Sequence, residues 1–403
     1  MGEKTKICFH INNFCNLNCK YCYQQNKGHK ELDIEKAKFF LDRFFERDTN
    51  YFKNYFTNEI HGIILDFIGG EATLSITIVN EITDYFYQKC IDYGKVDWII
   101  NSDIWLETNG TTYFEPEVYR YIQKHAEKLE LPITLDGNKE LHDKCRLYYD
   151  GKGSYDDVER AVIHYRDTYG KMPNSKLTLS PENVSFFFDG ILNFIRLGYT
   201  SVRCSCQAED VWDEKSENEY YRQLIKIYDY IIENKINFVF SPMRDFTKKC
   251  TSSTCGIYGS MICIDYDGNI YNCFRYADVS IPNRESMKLG TVDAGITNLK
   301  TLQKLRDRVT KTIDPQCQKC TLSSSCEQCP AFNYQHAGSM TKNLKTNCRI
   351  NHIEAKAFKY FQQRCNEEGF NHPMISRPNE WNEHLFECNG LKSVPYLDLQ
   401  KNI

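Results

Sequence analysis

Cys15-Asn16-Leu17-Asn18-Cys19-Lys20-Tyr21-Cys22 is the stretch on which the reading of this chain turns. Three thiols stand at the spacing C-x-x-x-C-x-x-C, with an aromatic, Tyr21, directly before the third. Thiolates are soft ligands, and a four-iron cluster takes one per iron. Three thiolates therefore leave one iron open to a small molecule that is to receive an electron. A strand-like run, Ile7 to Ile11, precedes the thiols, and a helix pattern starts at Asp33. That places them on a first strand-to-helix loop, where barrels of such units put their chemistry. The rival reading is a zinc site or three unrelated thiols. Zinc sites usually repeat C-x-x-C pairs and close on four ligands.

Outward from this loop, strand and helix patterns alternate. Strand-like runs fall at Lys6–Ile11, His61–Phe67, Ser102–Glu107, Leu129–Leu135, Lys176–Ser180 and Ser201–Cys206. Asp33 is placed to cap a helix that carries Ile34, Ala37, Leu41, Phe44 and Phe45 on one face. Helix patterns at Thr77–Tyr93, Tyr155–Tyr169 and Ser185–Leu197 end at Gly94, Gly170 and Gly198, and glycine is a common helix stop. Glu217–Asn234 reads as a sixth helix or a bridge. Six strand–helix repeats predict an α/β fold, a partial (β/α)6 TIM-like barrel rather than a closed barrel of eight. After about Pro242 the character changes. The segment to Cys348 holds nine cysteines, many turn residues and little helical period; a helix pattern then resumes from Arg349 to about Gly369. The expected divisions are residues 1–215 for the barrel, 216–242 for a bridging helix, 243–350 for a cysteine-rich domain, and 351–403 for a terminal helix and tail.

Composition narrows the function classes. The 403 residues suffice for two or three domains with cores of their own. A net charge of −4 provides no basic excess to hold nucleic acid or an anionic membrane. No apolar run reaches the length of a membrane span, and Met1-Gly2-Glu3-Lys4-Thr5-Lys6 lacks the apolar centre of a signal peptide, so a cytoplasmic protein is expected. In such a compartment, nineteen cysteines argue for metal ligation and against a disulfide framework.

The Cys15–Cys22 spacing resembles that of the radical S-adenosylmethionine (SAM) superfamily. Phe67-Ile68-Gly69-Gly70-Glu71 follows the second strand-like run. Glycines let backbone approach a ligand closely, and a carboxylate accepts from an ammonium group. The resemblance implies that Gly69, Gly70 and Glu71 take the SAM amino group. Ala72 stands where family members usually have proline. Thr108-Asn109-Gly110 ends the third run and Ile133-Thr134-Leu135-Asp136-Gly137 the fourth, followed by His142-Asp143, Arg146 and Gly153-Ser154-Tyr155. This series is similar to that of peptide maturases in the superfamily. By that similarity Thr134 and Arg146 are candidates for the SAM carboxylate, Ser180 and Asn183 for its ribose, and Tyr21 for the same cofactor-binding set. Capping and turn formation are the structural alternative for each.

The second half resembles a SPASM domain, which carries two auxiliary four-iron clusters. Cys255 is followed after twelve residues by Gly268 and after four more by Cys273; then come Cys317-x-x-Cys320, five residues, Cys326-x-x-Cys329, and Cys348. The usual pattern has three residues, not two, between the positions of Cys326 and Cys329. The resemblance assigns Cys250, Cys255, Cys273 and Cys329 to a first auxiliary cluster, and Cys317, Cys320, Cys326 and Cys348 to a second. Two structural zincs are the alternative on spacing alone. Cys204 and Cys206, two apart on one strand face at the end of the sixth run, are candidates for handling substrate.

What the resemblance implies is a reaction core of three [4Fe-4S] clusters and SAM, an external electron donor of flavodoxin or ferredoxin type, and a ribosomally made precursor peptide as substrate. Two reactions compete. Anaerobic sulfatase maturases oxidise a Cys or Ser to formylglycine and carry an aspartate base just after the cysteine matching Cys273; here that residue is Phe274. Maturases of Cys-containing peptides instead join cysteine sulfur to carbon, with an auxiliary cluster taking the second electron. The thioether reading is preferred. A third possibility is an electron-transfer iron–sulfur protein without a SAM pocket, against which Gly69-Gly70-Glu71 argues. Many thioether-forming enzymes have an N-terminal peptide-recognition domain, for which there is no room before Ile7.

Overall fold

The computed structural model describes residues 4–24, 27–56, 59–207, 210–244, 246, 256–257, 259–277, 281, 283–308, 317–323, 325–326 and 329–375. Along the chain the strands are β1 (Thr5–His10), β2 (Ile63–Ile68), β3 (Asp103–Leu106), β4 (Leu129–Glu130), β5 (Lys176–Leu179), β6 (Ser201–Cys206), β7 (Val239–Phe240), β8 (Met261–Ile264), β9 (Asn269–Tyr271), β10 (Gly290–Thr291) and β11 (Gly295–Ile296). They fall into two compact units that interleave in sequence. The first comprises Met1–Leu135, Arg146–Ser175 and Ser253–Lys311; the second comprises Asp136–Cys145, Lys176–Ser252 and Thr312–Ile403.

The first unit holds an eight-stranded sheet of order β11-β10-β9-β8-β1-β2-β3-β4. Strands β1 to β4 run parallel, with Ile7 opposite Leu65 and Leu65 opposite Ile104. Helices connect them, as parallel neighbours require. Alternation along β1 sorts its two faces. Ile7 and Phe9 are fully buried, and Phe9 stacks on Phe67 and meets Phe40 of the Ile34–Phe45 helix edge-on. Asp33 caps that helix as expected, accepting from the Glu35 N–H. Lys6, Cys8 and His10 turn to the opposite face. There Lys6 pairs with buried Asp66 at 3.0 Å and lies over the Trp105 ring.

Two findings depart from the sequence reading. The fourth run pairs as a strand only over Leu129–Glu130. Pro132 has no N–H to continue a ladder, so beyond it the chain rejoins β3's extension through the single bridge Thr108–Ile133. The second departure concerns residues 261–296, expected within a separate cysteine-rich domain. Here β8 pairs parallel with the free edge of β1, Cys263 opposite Cys8, and β9 to β11 continue antiparallel from it.

The second unit holds the parallel sheet β5-β6-β7. The Phe187–Leu197 helix follows a 3-10 turn after β5 and stops at Gly198, whose φ of +98° suits glycine. Glycine is required at Gly137, because a Cβ there would stand 2.5 Å from the Gly190 Cα of that helix. The Glu214–Glu233 helix opens on a capping box between Asp213 and Ser216. It packs on the Lys345–Glu367 helix through Tyr228 and Phe361, whose ring centroids are 4.8 Å apart.

Candidate SAM and iron–sulfur sites

The cysteine loop is held at both ends by backbone bonds. Before it, Gly70 N–H donates to the Asn12 carbonyl at 3.1 Å and Glu71 N–H to the Phe14 carbonyl at 2.8 Å. Within it, Asn18 N–H donates to the Leu147 carbonyl at 2.7 Å, and Leu17 bridges Tyr148. Behind it, Leu32 N–H returns to the Ile11 carbonyl. The loop thus rests on the Gly69-Gly70-Glu71 turn and on the segment that follows Arg146.

The turn's glycines serve this contact. A Cβ on Gly70 would stand 2.1 Å from the Phe14 carbonyl oxygen, and one on Gly69 2.4 Å from Asn12 Oδ1. The close approach these glycines permit is, in the fold, that of the segment leading into the cysteine loop. Asn12, absent from the sequence reading, is the connecting residue. Its Nδ2 donates to the Glu71 carbonyl and to Ser75 Oγ, both at 2.8 Å, while its Oδ1 accepts from Gly70 N–H. No local pattern marks an asparagine after a strand for this task.

Glu71 is 3 % exposed and surrounded by donors. Its Oε1 accepts from Thr73 Oγ1 at 2.6 Å, Thr73 N–H at 3.3 Å and Thr108 Oγ1 at 2.8 Å; its Oε2 accepts from Asn109 N–H at 2.7 Å. Burial pushes its carboxyl above the usual range, and these four bonds oppose the shift. A carboxylate offers about four lone-pair sites over two oxygens, and Oε2 accepts from one protein donor here. Asn109 also ties this turn to the thiols: its Nδ2 reaches Asn16 Oδ1 at 2.9 Å and lies 3.7 Å from Cys15 Sγ.

Of the other sequence candidates in this unit, Arg146 and Tyr21 come together, with the buried guanidinium donating from Nη1 to the Tyr21 hydroxyl at 2.9 Å. Thr134 N–H donates to the Thr108 carbonyl, which puts Thr134 beside the strand end that carries Asn109. In the second unit Asn183 Oδ1 accepts from Ser180 N–H at 2.7 Å, a local turn that accounts for Asn183 structurally. Ser180 Oγ is buried and has no hydrogen-bond partner, the kind of atom a bound ligand would satisfy.

Cys15, Cys19 and Cys22 are half-buried. Leu17 N–H donates to Cys15 Sγ at 3.3 Å, and burial pushes the Cys15 thiol up to about 12. Among the described residues no three Cys, His, Asp or Glu side chains converge closely enough to hold a metal ion as they stand. The fit to an iron–sulfur cluster is therefore chemical, in three reduced thiols on one pinned loop.

The cysteine-rich candidates divide between the units. Cys250 and Cys255 lie outside the described residues, Cys273 is buried in the first unit, and Cys329 lies in the second. Cys329 sits at the N-terminus of the Pro330–Ala337 helix, its sulfur accepting from Phe332 N–H. Cys317, Cys320, Cys326 and Cys348 are all half-buried in the second unit. Cys204 and Cys206 are held high by burial, which suits inert thiols; near them Tyr220 donates to Glu354 at 3.0 Å and Arg244 pairs with the same carboxylate at 3.1 Å.

No protein-family model matches the chain. The cysteine-type anaerobic sulfatase-maturating enzyme of Clostridium novyi is 24 % identical over 343 residues, covering 77 % of this chain and 83 % of its own. The radical SAM cyclopropyl synthase TigE of Paramaledivibacter caminithermalis is 21 % identical over 296 residues, 68 % of this chain and 58 % of its own. Among solved structures, native anSMEcpe with bound AdoMet and Kp18Cys peptide superposes with a TM-score of 0.65 at 14 % identity, over 90 % of this chain and 99 % of that one. Streptococcus suis SuiB bound to precursor peptide SuiA gives 0.53 at 14 % identity, over 86 % and 76 %. Among the described residues no helix is long and apolar enough to cross a membrane. With the thiol loop and the glycine turn in view, the chain has anaerobic sulfatase-maturating enzymes and a radical SAM cyclopropyl synthase among its homologues, and it shares the fold of the peptide-bound anSMEcpe and SuiB structures.

Proposed function

We propose that this protein matures a Cys-containing peptide by joining cysteine sulfur to a carbon of another residue. The observation that carries the reading is Phe274, directly after buried Cys273. A phenylalanine ring takes no proton, so the base expected of a formylglycine-forming site is missing. A thioether-forming site can do without one if the substrate thiol is already ionised. Peptides bound to anSMEcpe and SuiB support a peptide substrate.

Within this proposal the chain's residues have distinct tasks. Bound SAM and its cluster on Cys15, Cys19 and Cys22 would supply a 5′-deoxyadenosyl radical that takes a hydrogen atom from the peptide. Glu71 Oε2 would accept from the SAM ammonium, the carboxylate's orientation set by Asn109 and the two threonines. Arg146, steadied by Tyr21, and Thr134 would hold the SAM carboxylate. The pinned loop and buried turn exclude water from that contact.

The second reading, a sulfatase-type maturase, is favoured by the match to the Clostridium novyi enzyme. Mass spectrometry of a co-expressed cysteine-repeat peptide separates the two. Thioether formation removes two hydrogens per link, one from the thiol and one from the C–H bond, and the linked cysteine no longer reacts with iodoacetamide. A product that has lost sulfur and bears an aldehyde would refute the thioether reading.

A further inference from the structure

The second unit contains two side chains aimed at thiols of the proposed second auxiliary set. Asn343 Nδ2 lies 2.9 Å from Cys317 Sγ. Its amide is oriented from the other side, where Oδ1 accepts from Asn333 Nδ2 at 2.9 Å, and Asn333 is fully buried. His352 Nε2 lies 4.0 Å from Cys320 Sγ, the outer reach of an N–H···S contact. His352 is 9 % exposed and one helical turn beyond Cys348 on the Lys345–Glu367 helix, so Cys348 and His352 share a face. Cys317 and Cys320 are themselves joined by a turn, with Cys320 N–H donating to the Cys317 carbonyl. Neither Asn343 nor His352 belongs to a cysteine motif.

We propose that Asn343 and His352 are positioning residues that raise the reduction potential of a cluster held by Cys317, Cys320, Cys326 and Cys348, by donating N–H bonds to the sulfurs of Cys317 and Cys320. The inference rests on the reading of these four thiols as one ligand set. Iron-bound thiolate sulfur has no proton to give, so in both contacts nitrogen is the donor, and His352 must carry its proton on Nε2. Reduction adds one negative charge, shared over the cluster and its sulfurs. Hydrogen bonds to sulfur strengthen as that charge grows, which favours the reduced form. Side chains behind the first ligands commonly set the properties of a metal site in this way. The consequence for the proposed reaction is direct: a higher potential makes this cluster a better acceptor for the electron left over when sulfur bonds to carbon.

The test is a redox titration followed by electron paramagnetic resonance. It uses the full chain after anaerobic iron reconstitution, in the background Cys15→Ala/Cys19→Ala/Cys22→Ala so that only auxiliary signals remain. Asn343→Leu keeps the side-chain volume and removes the N–H. At a fixed poise it should lower the reduced-to-oxidised ratio of one auxiliary signal about tenfold, equivalent to ~59 mV for a one-electron couple. His352→Leu should shift the same signal in the same direction by less, because its contact is longer, and His352→Gln, which restores an N–H, should recover part of the shift. Asn343→Asp guards against misfolding: it keeps the shape and an acceptor for Asn333, and should lower the potential at least as far as Asn343→Leu. Full iron content with unshifted signals in both leucine variants would overturn the inference alone. Loss of about four irons in His352→Leu would make His352 a ligand and overturn its role as a donor to Cys320. Iron content that does not fall when Cys317 and Cys320 are both changed to alanine in this background would overturn the ligand-set reading and the inference with it.

Discussion

Replacing Gly70 by alanine tests the central claim about the site, that the glycine turn exists to seat the cysteine loop. The added Cβ would stand 2.1 Å from the Phe14 carbonyl oxygen, whereas ordinary contact begins at 3.4 Å, so the loop must retreat by about 1.3 Å (3.4 less 2.1). The obstructing atom is backbone and cannot swing aside. The bond from Glu71 N–H to that same oxygen, now 2.8 Å, would open beyond hydrogen-bonding range. Overpacking of this kind costs roughly 1–3 kcal/mol and the lost bond about 1 kcal/mol, for a total of about 2–4 kcal/mol. Gly69→Ala is the comparison, since its Cβ meets a side-chain atom, Asn12 Oδ1, at 2.4 Å. It should destabilise less, although Asn12 is itself tied down by hydrogen bonds. Denaturant midpoints report the stability change, and iron content after reconstitution reports whether the loop still presents its thiols. A Gly70→Ala protein with wild-type midpoint and wild-type iron would show that the loop does not depend on this close approach.

Other consequences can be tested separately. Glu71→Gln keeps the volume but turns an amide toward the donors around it, and should weaken SAM binding by about 1–3 kcal/mol, roughly 5- to 150-fold, with iron unchanged; SAM affinity equal to wild type would leave Glu71 a cap for the turn that follows. Changing Cys15, Cys19 and Cys22 together to alanine should remove about a third of roughly twelve irons per chain if three four-iron clusters form, and stoichiometric zinc in the wild-type protein would contradict the assignment of the second half. His10 is fully buried, and burial, helped by Arg284, lowers its pKa to about 4. The unfolded chain therefore binds the extra proton first as pH falls below about 6.5, and stability should drop by up to ~3 kcal/mol between pH 6.5 and 4. Acid unfolding of His10→Gln should lose that part of the slope; an unchanged pH profile would mean His10 is solvated in solution.

Much of this protein is legible from local sequence because the physics is local. Asp33 caps its helix, Gly170 and Gly198 end theirs in left-handed conformation, and β6 spans the whole predicted run from Ser201 to Cys206, because caps, glycine stops and two-residue alternation act between near neighbours. Pro132 stands inside the predicted run Leu129–Leu135 and, with no N–H for a ladder, stops the fourth strand short. The thiol spacing is chemistry written in a single loop, so it pointed to the cofactor class without any fold.

Tertiary structure alone decided the rest. Nothing near Cys263 announces that its strand will lie parallel to β1 with Cys8 opposite, since that register depends on which sheet edge remains open after β1 to β4 have paired. Asn12 becomes the junction of the thiol loop and the glycine turn only when strands β1 and β2 end side by side. Arg146 meets Tyr21 across 125 positions of chain, and Asn343 reaches Cys317 across 26. Such contacts are fixed by the packing of whole elements, and the residues that make them carry no local pattern by which a sequence could reveal them.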